Sequence, residues 1–159
     1  MEGLRDLLAR QLGWEDAHVG YSRAVADFPS ELRGVAPAGF AHTGWEILEH
    51  LRLAQADILD FCVDPGYEPQ EWPAAYWPDA PAPQRDDDWE ASVARFGEDR
   101  AALQRLALDE SVDLLTPVPA GTGQTYLREL LLVADHNAYH LGQLVALRRA
   151  LGCWRDAPA

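Results

Sequence analysis

The sequence predicts an all-α fold, a four-helix bundle, on three observations. Apolar residues recur at three-to-four spacing through four stretches. Capping hydroxyls, glycines and prolines bound those stretches. No segment reads convincingly as a strand, so four apolar stripes remain to be buried, most simply against one another.

The first stretch carries Leu4, Leu7, Leu8, Leu12, Val19 and Val25, a helical period that predicts helix one from Leu4 to Val25, ending before Pro29. Gly13 and Gly20 weaken its continuity. Residues 29–41 hold two prolines and two glycines and read as a connection.

Helix two opens at Thr43-Gly44-Trp45-Glu46, the spacing of a capping box, in which hydroxyl and carboxylate each satisfy a backbone N–H at the helix start. Its apolar positions run through Ile47, Leu48, Leu51, Ala54, Ile58, Leu59 and Phe61 until Pro65 stops it. From Val63 to Gln84 six prolines exclude a regular helix, and this long Pro-rich crossover links helices two and three. Trp72, Tyr76 and Trp77 are expected to pin that loop to the bundle.

Asp86, Asp87 and Asp88 suit the start of helix three, where carboxylates cap N–H groups and face the positive end of the dipole. Trp89, Val93, Phe96, Leu103 and Leu106 supply its stripe. Thr125 can cap helix four, which carries Leu127, Leu130, Leu131, Ala134, Leu141, Leu144 and Leu151 and ends at Gly152. No internal repeat is visible.

With 159 residues, the chain is expected to form a single domain over 1–159, large enough to fold without disulfides. Its formal net charge of -13 repels phosphate backbones and anionic lipid surfaces, which argues against nucleic-acid and membrane partners. Neither an export signal nor an apolar run of bilayer-spanning length is visible, so a cytoplasmic protein is expected. Cys62 and Cys153 form no CxxC pair and read as two reduced thiols near helix ends.

The chemistry resides in histidine spacing. His136 and His140 are four residues apart, which on a helix leaves them about 40° apart on one face, one turn apart in height. They sit in the most apolar stretch of the chain, LRELLLVADHNAYHLGQLVAL. Two readings stand for such a pair: a shared metal ion, or imidazoles that hydrogen-bond neighbours within the packing. His50 adds weight to the first, because it lies mid-helix among Ile47, Leu51 and Ala54, and both histidine positions fall near the midpoints of helices two and four.

Three inward imidazoles form a facial set that suits one divalent ion, Zn, Ni, Fe or Mn, and leaves coordination positions open. With neutral ligands the full charge of the ion remains to lower the pKa of a water or thiol. Gln143, three residues after His140, and Glu46, four before His50, are candidates to orient a ligand, with the capping box the stronger role for Glu46. His18 and His42 fall outside the pattern and read as surface or packing residues. No G-x-S-x-G, H-E-x-x-H or phosphate-cradling glycine loop is present, and a di-iron centre would need Glu-x-x-His on two helices.

The Trp45–Leu51 segment with its histidine, the proline-rich crossover and His136-Asn-Ala-Tyr-His140-Leu-Gly-Gln143-Leu resemble the DinB-like superfamily, from about Trp14 to Trp154. The resemblance implies an up-down-down-up bundle in which helices two and three run parallel and helices two and four antiparallel. Cys62 and Cys153 would then end at opposite ends. It also implies a divalent metal on a three-histidine set matching His50, His136 and His140.

Relatives include bacillithiol and mycothiol S-transferases and a mycothiol-dependent maleylpyruvate isomerase. The expected function is therefore metal-dependent transfer of a low-molecular-weight thiol to an electrophile, or hydrolysis of a small substrate. The alternative is a non-catalytic metal-binding stress-response or ligand-binding protein, whose histidines hold two helices together. The expected partner is a small molecule, and a homodimer is an open expectation.

Overall fold

A computed structural model describes residues 3–13 and 17–155. Among them the chain forms five α-helices: α1 (Leu4–Gln11), α2 (Tyr21–Val25), α3 (Gly44–Val63), α4 (Asp88–Leu108) and α5 (Tyr126–Ala150). No strand occurs among the described residues, only an isolated bridge between Pro117 and Thr125. The all-α expectation holds.

The single first helix does not. Residues expected to form one helix from Leu4 to Val25 divide into α1 and α2, with Leu12 capping the first and Gly20, in an extended conformation, preceding the second. The two pieces serve different parts of the core. Leu8, Ala9 and Leu12 pack with Leu103, Ala107, Leu130, Val133 and Ala134, whereas Tyr21, Ala24 and Val25 pack with Leu48, Leu51, Phe96 and Leu144. A straight helix interrupted by two glycines, each about 1 kcal/mol poorer than alanine in a helix interior, gives way to two docked segments. Leu4 and Leu7, read as part of one stripe, are exposed.

The two long helices that matter most begin and end as the sequence dictates. Thr43 accepts the Glu46 N–H at 3.1 Å while the Glu46 carboxylate accepts the Thr43 N–H at 2.7 Å, a complete capping box for α3. Gly44 at the first position is required by packing, because a Cβ there would lie 2.3 Å from the Phe28 ring. α3 stops at Val63, two residues before Pro65. Thr125 caps α5 by accepting the Arg128 N–H.

At the other end of α5, Gly152 takes φ +71, and Cys153 N–H bonds back to the Arg148 carbonyl in a Schellman arrangement. α4 differs from expectation in one detail. Asp87 precedes it without a side-chain cap, and the Asp88 carboxylate instead accepts the N–H groups of Gln84 and Arg85 in the preceding turn.

α3 packs on both α4 and α5, and α1 also packs on both. One cluster joins Ile47, Leu48 and Leu51 of α3, Trp89 and Phe96 of α4, and Leu141, Leu144 and Leu147 of α5. The other joins Leu103 and Ala107 of α4 with Leu130, Val133 and Ala134 of α5, flanked by Ile58 and Leu59 of α3. Leu131, placed on the α5 stripe from sequence, is instead half exposed.

Two buried polar groups fasten this frame. Arg148 donates to the carbonyls of Ala24 at 2.7 Å, Ala26 at 2.8 Å and Cys153 at 3.3 Å, and its guanidinium lies over Phe28. It thereby ties the end of α2 to the end of α5. Gln55, fully buried in α3, donates to the Phe96 carbonyl at 2.8 Å and accepts from the Asn137 amide at 2.9 Å, which links α3 to α4 and α5. Cys62 and Cys153 are both free thiols, and burial pushes the Cys62 thiol up to about 12.

Candidate metal centre

His50 faces α5 because it belongs to the buried stripe of α3, between Leu48 and Leu51. His136 and His140 lie between Ala134 and Leu141, the points where α5 passes from one core cluster to the other. The structure brings these three histidines together. One ring nitrogen from each lies within 4.8 Å of the other two, and His136 Nε2 is 3.1 Å from His50 Nε2.

The partners of the remaining ring nitrogens decide which atoms can act as ligands. His50 Nδ1 lies 2.8 Å from the Tyr76 carbonyl oxygen. A carbonyl only accepts, so the proton sits on Nδ1 and Nε2 presents a lone pair. His140 Nδ1 donates to Gln143 Oε1 at 2.7 Å, which likewise leaves its Nε2 as a donor atom. His136 Nδ1 is buried without a hydrogen-bond partner, and so is Asn137 Oδ1.

This arrangement fits a divalent cation. Nitrogen–metal distances near 2.1 Å with ligand angles between 90° and 109° place neighbouring nitrogens about 3.0 to 3.4 Å apart, and the His50–His136 separation falls in that range. The backbone carbonyl and the side-chain amide holding the outer nitrogens are the type of partner that fixes tautomer and ring orientation around metals. Burial lowers the pKa of all three imidazoles, and the neighbouring histidines reinforce the shift at His136 and His140, taking His140 to about 4. At neutral pH the three rings are uncharged and ready to ligate.

Aromatic contacts hold the ring of His50. It stacks on Trp77 with centroids 4.1 Å apart and planes 5° from parallel, and His42 stacks on the opposite face of the same indole at 4.0 Å. Tyr139, largely exposed, stands edge-on to His140. His42 is thus a packing residue against Trp77, and His18 is exposed, bonded to the Val19 carbonyl. Glu46 is engaged in the capping box and Gln143 bonds His140.

The residues that sequence reasoning missed lie on the 64–87 connection. The Tyr76 carbonyl supports His50, and Trp77 covers its ring. The signal available was the density of aromatics in a proline-rich stretch, which pointed to a pinned loop but not to what it pins. Trp72 corrects that expectation, because it is 72% exposed and contacts Tyr76 rather than the bundle.

A family model for the DinB superfamily matches residues 14–144, a span that includes all three histidines and the Trp77 connection. Comparison with curated proteins and with solved structures returned no match. No helix among the described residues is long and apolar enough to cross a membrane.

Proposed function

Because the chain belongs to the DinB superfamily, we propose that it is a divalent-metal-dependent enzyme that transfers a low-molecular-weight thiol to an electrophile or hydrolyses a small substrate. The observation that carries this reading is the convergence of three imidazoles, one ring nitrogen of each within 4.8 Å of the others, two of the rings being held at Nδ1 by Tyr76 and Gln143. A divalent ion held there would supply positive charge that lowers the pKa of a thiol or water.

The protein's own groups do the rest. His50, His136 and His140 would hold the ion, the Tyr76 carbonyl and Gln143 amide orient two of the rings, and Trp77 closes one face of His50 against solvent. In thiol transfer the S–H proton passes to solvent water, sulfur bonds the electrophilic carbon, and the leaving group departs with its electron pair.

The same reading takes residues 1–159 as one domain with an up-down-down-up topology and treats the 64–87 segment as the long crossover. Support comes from the core clusters: the first halves of α3 and α4 share one cluster with the second half of α5. A cytoplasmic setting, a small-molecule partner and a homodimer remain expectations of this reading.

A second reading, a metal that only joins α3 to α5 in a non-catalytic protein, draws on the position of the cluster between those helices. Turnover of a model electrophile with a small thiol decides between them. The enzyme reading expects turnover that a chelator abolishes and added metal restores, with helical circular dichroism unchanged. No turnover together with unfolding on chelation overturns it in favour of the second.

A further inference from the structure

The 64–87 connection touches α3 in two places through a single residue. The Tyr76 carbonyl accepts from His50 Nδ1 at 2.8 Å, and the Tyr76 hydroxyl donates to Asp57 Oδ2 at 2.7 Å. His50 and Asp57 are seven residues apart on one helix, about 10 Å along its axis, so the tyrosine bridges two turns of α3 from its backbone to its phenol. Trp77, the next residue, lies flat on the His50 ring. The segment is also held by the Tyr67 hydroxyl on Asp57 and by the Pro81 carbonyl, which accepts from the Thr43 hydroxyl at 2.6 Å, while Trp72, Pro73 and Ala74 are exposed.

We propose that Tyr76 and Asp57 are positioning residues for the metal centre: the Asp57–Tyr76 clasp anchors the connection so that the Tyr76 carbonyl pins His50 as its Nδ1–H tautomer, with the Nε2 lone pair turned into the cluster. The inference rests on the metal-centre reading and adds how one ligand is prepared before metal arrives.

Chemistry supports the clasp at each joint. An imidazole whose Nδ1 is not held can carry its proton on either nitrogen, and only one form offers Nε2 as a ligand. Burial, reinforced by the Asp57 carboxylate, raises the Tyr76 phenol far above its ordinary value, which keeps it an O–H donor. Asp57 has a second client, Tyr67, whose hydroxyl donates to Oδ1 at 2.9 Å without reaching the histidines. Tyr67 therefore serves as an internal control, sharing the acid but not the carbonyl that holds His50.

The test combines long-range 1H–15N spectra of 15N-histidine-labelled, metal-free protein at pH 8 with zinc titration. In the unsubstituted chain His50 should be entirely the Nδ1–H tautomer. Tyr76→Phe should give a tautomer mixture and weaken zinc binding by about tenfold, as loss of an orienting partner does elsewhere. Tyr67→Phe should change neither. If Tyr76→Phe does not fold, Asp57→Asn, which keeps one accepting oxygen, should show a smaller shift in the same direction.

Unchanged His50 resonances in a folded Tyr76→Phe protein would overturn the proposal, as would an Nε2–H tautomer in the unsubstituted chain. A tautomer shift accompanied by no zinc uptake in the unsubstituted chain would uphold the clasp and refute the metal reading. The two failures are therefore distinguishable.

Discussion

Replacing Gln143 by leucine removes the acceptor of the His140 Nδ1 proton while leaving the imidazole and the helix in place. The bond is short, 2.7 Å, and bridges residues three apart on α5, so no distant element depends on it. A neutral hydrogen bond contributes about 0.5–1.5 kcal/mol, and one strengthened by a charged partner roughly twice that. Metal binding places positive charge on the imidazole and strengthens its N–H as a donor, so the loss falls specifically on the bound state. About 1–3 kcal/mol converts to roughly a 5- to 150-fold weaker dissociation constant. That interval overlaps the 10–100-fold cost typical of losing a partner that orients a metal-bound histidine.

Calorimetric titration of zinc into Gln143→Leu, beside Gln143→Glu, measures the effect. The glutamate keeps an acceptor and gives it charge, so it should bind at least as tightly as the unsubstituted chain. Equal zinc affinity in Gln143→Leu and the unsubstituted protein, both fully helical, would refute the assignment of Gln143 as an orienting group.

Three further outcomes follow from the same geometry. Gln55→Ala strands the Asn137 amide in the core, removes a second donor from the Phe96 carbonyl and leaves a cavity, so the urea midpoint should fall by an amount equivalent to about 3 kcal/mol, whereas a loss under 1 kcal/mol would contradict the buried network. Arg148→Met should cost about 3 kcal/mol in the same assay, because the carbonyls of Ala24 and Ala26 lose their donor, and increased proteolysis within residues 21–28 would locate the damage at α2. In metal-free protein the depressed His140 pKa makes the unfolded chain bind the extra proton first. Its contribution to stability is complete above about pH 6.5 and erodes as pH falls towards about 4. Urea midpoints at pH 7 and pH 5 should therefore differ less in His140→Gln than in the unsubstituted chain, and identical differences would contradict the shift.

Local chemistry made much of the frame legible. Thr43 and Glu46 announce the start of α3, Thr125 that of α5, and Gly152 its end, because caps are set by residues within three positions of one another. The i, i+4 spacing of His136 and His140 is equally local. His50 could be joined to them only by noting that both positions are central in their helices, since 86 residues separate His50 from His136.

Long-range contacts were not legible. Whether residues 4–25 form one helix or two depends on which core cluster each half joins, and the glycines only permit the break. Arg148 looks like a surface arginine in a terminal turn until α2 brings its carbonyls there. The support of His50 by Tyr76 is a backbone carbonyl, and no residue type encodes a carbonyl's position. Among the four aromatics on the connection, sequence alone could not separate Trp77, stacked on the site, from Trp72, exposed to solvent.

Metal content tests the central claim most directly. Protein purified without an affinity tag should carry one divalent ion per chain by elemental analysis and native mass spectrometry, and the double variant His50→Ala, His136→Ala, still helical, should carry none. Equal metal content in the two proteins would contradict the assignment of His50, His136 and His140 as its ligands.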